Sequence, residues 1–557
     1  MPAMPERLTI ALAQLNPCVG DVVANANLLR TARAQAAQQG ADLLMASELV
    51  ISGYPPEDLV LKGSFQKAVR TQVEALALET ADGGPGLLIS APWVENGQLY
   101  NAALLLDGGR ILAVTPKCAL PNYSVFDEMR LFAAGPLPGA VTFRGLKLGI
   151  MTCEDMWAPK VTRSVMQDGA DILLVLNGSP YETDKIGTRE AIAQQRVRES
   201  GLALVYVNQV GGQDELVFDG SSFVMDCEGQ LHVRLPAFES DLVCLGFRLD
   251  NDTLVPTDGV VTPVLDINEA IYKALVLVLR DYVNKNKFPG VLIGMSGGVD
   301  SAITAAVAVD ALGPERVHCV MMPSPYTSKE SLEDAAKACE SLAVRLDTIA
   351  IDPAIETFNV LLKDMFQDQD ADTTEENIQA RSRGILLMAL SNKFGFMVVS
   401  TGNKSEMSVG YSTLYGDMCG GFNVLKDVYK TRVYELCRWR NHNFVAGLLG
   451  PEGEAVPERI LTKAPSAELK PDQTDQDTLP PYDKLDDILY CLIEQELSVA
   501  EIAARGHDVQ TIQKVWLMLD RAEYKRRQAP PGVKITSRAF GRDRRYPLTN
   551  GFTASGS

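Results

Sequence analysis

The sequence predicts an α/β fold in two domains, a mixed α/β sandwich followed by a doubly wound parallel sheet. Three observations predict it. The chain has 557 residues, 46% of them hydrophobic and 22% charged. At roughly 100 to 200 residues per domain, that length serves at least two packed cores, and the composition excludes wholesale disorder. The first half mixes hairpins with βα units, whereas the residues after 263 alternate strand and helix strictly.

The elements follow in order. Residues 8–13 read as a strand, 24–39 as an alanine-rich helix and 42–46 as a second strand that stops just before Glu48. Residues 104–114 form a hairpin turned at Asp107, Gly108 and Gly109, and 146–152, 172–176 and 202–207 are buried strands between helical segments. Periodicity lapses in the polar, proline-containing stretch 249–263, the expected linker, before an amphipathic helix at 267–283. Strands at 291–295, 317–322, 345–351 and 396–400 then alternate with helices at 299–312, 329–342 and 378–393. Beyond Pro451 one helical unit is expected near 499–524. The expected domains are therefore 5–248 and 264–545, with a tail at 546–557.

Charge and rare residues narrow the function. Acidic side chains number 71 against 52 basic, a formal net charge of -19, and such a field repels nucleic acid and anionic membranes. Any anionic ligand then needs a local site. The four histidines, His232, His318, His442 and His507, form no HExxH, and no two of the ten cysteines lie closer than Cys227 and Cys244, which excludes CxxC zinc and redox pairs. No run approaches ~18 apolar residues, and the first seven residues carry no cleavable leader pattern. The expected setting is cytoplasmic and reducing, with no membrane partner.

A strand running into Gly294, Met295, Ser296, Gly297, Gly298, Val299, Asp300 and Ser301 and then into a helix makes an anion site. Glycine amides, two hydroxyls and the helix dipole all favour negative charge there. Pyrophosphate suits such a cradle, and Asp300 beside it implies a bridging Mg²⁺. Neither GxxxxGK[ST] nor GxGxxG fits. These residues resemble the PP-loop, or N-type ATP pyrophosphatase, family. TEENIQAR at 374–381, STGNKSE at 400–406, YGD at 415–417 and TKAPSAE at 462–468 narrow the resemblance to NAD synthetases. The resemblance implies ATP as co-substrate, Thr401 as an ATP contact, Asp300 and Glu406 at the Mg²⁺ and nucleotide, and Asn377, Glu406 and Lys525 at deamido-NAD. Residues 521–545 hold nine basic and two acidic side chains; set against an acidic body, they read as local compensation for a dinucleotide's phosphates.

At the other end, Cys153 follows a strand and precedes Glu154, Asp155, Met156 and Trp157, a turn able to expose sulfur and present backbone amides. With histidine scarce, a carboxylate must act as base and a lysine must hold developing negative charge; Glu48 and Lys117 supply those types. SEL at 47–49, GYPP at 53–56, PK at 116–117 and TCED at 152–155 resemble the nitrilase, or carbon-nitrogen hydrolase, superfamily. PNYSVFDEMR at 121–130 and NGSPY at 177–181, through Lys185, resemble the glutaminase branch fused to NAD synthetases. The resemblance implies a nitrilase-like αββα sandwich with Cys153 as nucleophile, Glu48 as general base and Lys117 as stabiliser of the tetrahedral intermediate. It places Tyr123, Ser179 and Lys185 at glutamine and makes Glu128 a second glutamate beside the nucleophile. It covers about residues 8–545 and implies a homo-oligomer, at least a dimer. Ammonia made at Cys153 and consumed at the PP-loop links the two ends, by an expected dry passage, since ammonia attacks and ammonium does not.

Overall fold

The computed structural model describes residues 7–251, 253–367, 369–471 and 473–552. Residues 5 and 6 of the first expected domain, and 553–557 of the expected tail, lie outside the described residues. The chain divides into two compact units, Met1–Asp266 and Ile267–Ser557.

The first unit contains two large sheets. One has seven strands in the order Thr253–Pro256, Asp241–Asp250, Arg7–Gln14, Leu43–Ala46, Gly86–Glu95, Gln98–Asp107 and Arg110–Pro116. The other has six, Leu231–Arg234, Phe223–Met225, Leu204–Asn208, Ile172–Asn177, Leu146–Thr152 and Val141–Phe143. Central strands run parallel in both, and they are buried along nearly their whole length, as parallel strands covered on both faces must be. Side chains alternate across them. Ile10, Leu12, Leu43 and Met45 share one core with Leu148, Ile150, Leu174 and Leu176 of the facing sheet. Ala11, Ala13, Leu44 and Ala46 point the other way, onto Ala26 and Leu29 of helix Val22–Gln38 and Val69 and Val73 of helix Gly63–Glu79. Val161, Val165, Ala193 and Val197 of two further helices cover the second sheet. This is the αββα sandwich.

The hairpin turns at Gly108 and Gly109, with Asp107 paired to Arg110 and φ of 58° and 81° at the glycines; two-residue hairpin loops of this kind require positive φ at both positions. The expected linker starts too early. Its first half is strand: Asp250 pairs with Thr253 and Phe247 with Pro256, and Leu254 is buried in the inter-sheet core. Periodicity lapses there because the chain turns tightly at Asn251, φ 48°.

The second unit holds a five-stranded, all-parallel sheet in the order Arg345–Thr348, Val317–Met321, Val291–Gly294, Met397–Ser400 and Phe422–Asn423. Strand order reverses between Val291–Gly294 and Met397–Ser400, and ligands of such sheets bind beyond the strand ends at that switch point. Two differences from the sequence reading concern helices. Helix Thr373–Phe394 begins five residues earlier than 378, because Asp372 and Glu375 form a capping box. The acidic segment 364–376 thus contains its first turn; Asp368 lies outside the described residues. Near the C-terminus, helix Tyr482–Ile493 joins the unit near 499–524, burying Leu485, Ile488 and Leu489 against Ile512 and Val515. Pro480 and Pro481 stand just before its start, where proline is tolerated. Among the described residues, no helix is long and apolar enough to cross a membrane.

Two candidate active sites

In the first unit, strand ends of both sheets converge. Glu48 lies two residues past strand Leu43–Ala46, Lys117 one past Arg110–Pro116 and Cys153 one past Leu146–Thr152. The Glu48 amide donates to the Asn177 carbonyl (3.1 Å) of the opposite sheet. Lys117 Nζ reaches Glu48 Oε1 at 2.8 Å and Glu128 Oε2 at 2.8 Å, all three side chains being buried. Asn101 Nδ2 (2.7 Å) and the Gly178 amide (2.9 Å) also donate to Glu48, and the Tyr54 hydroxyl donates to Glu128 Oε1 (3.0 Å). Gly178 has no substitute here: an added Cβ would stand 2.9 Å from the Tyr54 ring and 3.3 Å from Glu48 Oε2.

Cys153 takes φ 47° and ψ −100°, a strained conformation for a residue with a side chain. The elbow turns sulfur inward: Cys153 is 4% exposed, and its amide is spent on the Leu176 carbonyl (2.9 Å). Exposed sulfur was the sequence expectation, and it is corrected here. Nor is that amide free to act as an oxyanion donor, which leaves the Lys117 ammonium as the cation beside the reacting atoms.

Charge in this cluster is set by burial. Burial pushes the Glu128 carboxyl up to about 7, with Lys117 opposing and Glu48 adding to the rise. One ammonium between two buried carboxylates is balanced when Glu128 keeps its proton. Burial, seconded by Glu48, holds the Cys153 thiol well above its ordinary range. The resting nucleophile is therefore a thiol, and forming thiolate needs proton transfer to a base such as Glu48. Iodoacetamide should label the Cys153 peptide slowly at about pH 7 and progressively faster to beyond about pH 9. A parental labelling rate that stays flat with pH, followed by mass spectrometry, would contradict the assignment.

The three residues expected at glutamine are placed as follows. The exposed Tyr123 hydroxyl donates to Glu154 Oε2 (2.9 Å), next to the nucleophile. Lys185 Nζ lies 5.9 Å from the Phe126 ring centre and 3.2 Å from Glu182, while Tyr123 packs edge-on against the same Phe126. Ser179 Oγ accepts from Arg189 Nε (3.1 Å), whose guanidinium is paired with buried Asp219. Asp155, a residue of the TCED motif that the sequence does not single out, organises the turn. Its carboxylate accepts from the amides of Cys118 (3.0 Å), Ala119 (2.7 Å) and Thr152 (3.1 Å), tying the Lys117 and Cys153 strand ends together.

In the second unit a cavity of about 300 Å³ opens at the switch point. Gly294, Met295, Ser296, Gly297, Gly298, Val299, Asp300, Ser301, Thr401 and Glu406 all line it. Ser296 Oγ and Ser301 Oγ are 3.0 Å apart, and the loop enters helix Val299–Leu312 at Gly298. Asn403 spans the two loops, donating from Nδ2 to Asp300 Oδ1 (2.9 Å) and accepting at Oδ1 from the Glu406 amide (3.0 Å). Lys430, almost fully buried, pairs with Asp300 Oδ2 and with Glu406 Oε1 (3.0 Å). Burial raises Glu406 to about 7, Lys430 pulling it down and Asp300 pushing it up. Asn377 and Lys525 stand apart from this lining. Asn377 Oδ1 accepts from Thr413 Oγ1 (2.9 Å), and Lys525 Nζ donates to the carbonyls of Gly410 (2.8 Å) and Ser412 (2.6 Å), so both brace the 410–413 segment whose Tyr411 and Ser412 face the cavity. Much of the basic run 521–545 is spent internally, Arg526 and Arg544 on Glu523 and Lys534 on Asp543.

Lys430 and Asn403 escaped the sequence reading as site residues. Lys430 carried a signal: it opens helix Lys430–His442, where the helix dipole disfavours a cation. A lysine there has to be held by something else, here two carboxylates.

Both halves of the chain match known families. Residues 9–250 match the carbon-nitrogen hydrolase family and residues 271–529 the NAD synthase family. A glutamine-dependent NAD(+) synthetase of Rhodobacter capsulatus is 47% identical, covering 98% of this chain and 99% of its own. Its counterpart in Acinetobacter baylyi is 44% identical, with 98% of each covered. The solved structure of glutamine-dependent NAD+ synthetase from Acinetobacter baumannii, in complex with adenosine diphosphate, is 44% identical with a TM-score of 0.78, covering 98% of this chain and 99% of that one. With full-length relatives at this identity, and with the Glu48, Lys117 and Cys153 cluster and the switch-point cavity carried on one chain, the protein belongs to the glutamine-dependent NAD(+) synthetase family.

Proposed function

We propose that the chain makes NAD(+) from deamido-NAD, ATP and glutamine, releasing AMP, pyrophosphate and glutamate. The observation that carries this reading is the pairing, in one chain, of a buried Glu48–Lys117–Cys153 amidase site with a glycine-rich loop at the switch point of a parallel sheet. At the first site Glu48 takes the Cys153 proton, and sulfur attacks the glutamine side-chain carbonyl. Lys117 faces the oxyanion that forms. Glu48 returns the proton to the departing ammonia, leaving a thioester that water, activated by Glu48, hydrolyses to glutamate. Tyr123, Ser179 and Lys185 are the proposed glutamine contacts.

At the second site ATP lies on the loop 294–301 with Thr401 beside it; the adenosine diphosphate bound by the A. baumannii relative supports an adenine nucleotide here. The nicotinate carboxylate attacks the α-phosphorus, pyrophosphate leaves, and ammonia displaces AMP. Asp300 and Glu406 offer hard oxygen ligands, and among the described residues no group of three or more His, Cys, Asp or Glu is placed to hold a metal. Asp300 and Glu406 would hold Mg²⁺, an ion commonly bound by one or two carboxylates together with substrate phosphates. When bound, Mg²⁺ neutralises phosphate charge. Lys430 balances the same two carboxylates from the protein side. Asn377 and Lys525, bracing the 410–413 segment, act on deamido-NAD through that wall, while Glu406 faces the ligand directly. Measuring pyrophosphate release with deamido-NAD, XMP and aspartate in parallel tests the reading. Release with deamido-NAD is expected, and release only with XMP or aspartate would overturn it.

The proposal includes a cytoplasmic setting and a homo-oligomer, at least a dimer. Helix Asp352–Leu362 buries none of its residues, and Val360, Leu361, Met365 and Ile385 are 60% exposed or more. Such an apolar face next to the helix that borders the cavity suits a second copy. Leu361→Asp should lower the mass seen by light scattering, and an unchanged mass would mean that this face is not a contact between copies.

A further inference from the structure

The family match of the synthetase unit ends at residue 529, yet the chain continues along the back of the cavity. Pro530 lines the cavity itself. The Asn423 amide donates to the Pro531 carbonyl (2.9 Å), and Gly532 bridges Asn423 as though extending strand Phe422–Asn423. A Cβ at Gly532 would stand 2.3 Å from the Asn423 carbonyl oxygen, so only glycine allows this approach. Asn423 in turn donates from Nδ2 to the Gly402 carbonyl (2.9 Å), in the loop that carries Thr401 and Asn403.

A second connection runs through charge. Lys404, fully buried, follows Asn403 directly. Its ammonium reaches Asp427 Oδ1 (2.7 Å), Glu494 Oε1 (2.6 Å), Thr536 Oγ1 (2.7 Å) and the Arg538 carbonyl (3.0 Å). Asp427 accepts from the amides of Ile535 (2.8 Å) and Thr536 (2.7 Å) and from Thr536 Oγ1 (3.0 Å). Thr536 thus accepts from Lys404 and donates to Asp427 with one hydroxyl. Lys534, paired with Asp543 at 2.9 Å, fixes the strap that delivers it.

We infer that segment 530–538 is a positioning strap for the ATP site. Through Asn423 and Thr536 it holds the 400–406 loop in the register at which Asn403 joins Asp300 to the Glu406 amide. A cation and anion buried side by side tolerate little displacement without losing hydrogen bonds, so the strap's hold passes directly to the loop. The inference rests on the reading that this cavity takes ATP.

Thr536→Val keeps shape and removes the bridging hydroxyl. In ammonia-driven synthesis by the full chain, KM for ATP should rise about tenfold, the worth of one hydrogen bond to a charged group. Thr536→Ser should restore it, and glutamine hydrolysis should stay parental. A variant that loses thermal stability but keeps the parental KM for ATP would reduce the strap to a fold clamp and overturn the inference. Ser301→Ala, run in parallel, separates the two levels. If it raises KM and Thr536→Val does not, the strap fails and the ATP reading stands; if neither moves KM, both fail.

Discussion

Cys153→Ala should leave ammonia-driven NAD(+) synthesis at the parental rate while glutamine-driven synthesis falls by roughly 10³-fold or more, as removal of a nucleophile typically does. The reason is spatial. Cys153 is buried among Glu48, Lys117 and Glu128, all in the first unit, whereas the residues that line the switch-point cavity belong to the second. Truncation to alanine removes a thiol that is neutral at rest, so it leaves no unpaired buried charge and costs little stability. Lys117→Ala is a poorer probe: it strands Glu48 and Glu128 together without their cation, and stability falls along with activity. Measuring synthesis with glutamine and with ammonium salt side by side gives the result. Loss of both would sink the division of labour.

The second large effect is expected within a single loop. Gly297 has φ 81°, and a Cβ there would lie 2.3 Å from the Ser331 carbonyl oxygen, with two further backbone atoms of Ser331 at 3.0 Å. Backbone cannot swing aside as a side-chain end can, so Gly297→Ala must displace the loop. A shift of about 1 Å at a reacting centre costs on the order of 10²-fold, and that loss should appear with either nitrogen source while glutamine hydrolysis persists. Gly298 is the control. Its φ is −93°, and an added Cβ meets only Ser296 Oγ, at 3.3 Å. Gly298→Ala should therefore retain much more synthesis than Gly297→Ala. Equal losses would mean that the effect lies in the ligand's approach to glycine and not in packing against Ser331.

Legibility in the sequence followed the range of the interaction concerned. The parallel strands could be read because full burial writes itself as unbroken apolar runs, as in Ile172–Asn177. Glu48, Lys117 and Cys153 could be named because each stands at a strand end within a short motif. Segment 249–256 could not be read, since an edge strand after a tight turn at Asn251 has neither a long apolar run nor a clean period. Helix Tyr482–Ile493 was hidden because the stretch beyond Pro451 is rich in Pro, Asp and Gln. Lys430 and the Thr536–Lys404 contact were hidden for another reason. Their partners lie 130 and 132 positions away, and no local pattern reports a pairing of that separation.

That separation has a consequence for how the second unit comes into being. The strand before the 294–301 loop bonds directly to strand Met397–Ser400, with Val291 opposite Met397. Contacts between residues that far apart in sequence close late, after the entropy of a long loop has been overcome. A chain still emerging from the ribosome, or one opened locally at the sheet, has no nucleotide cradle at all. ATP then recognises only the finished sheet, and its binding free energy adds in full to the native state. A ligand that binds only where these two strands are paired therefore favours the completed sheet over forms in which they are apart.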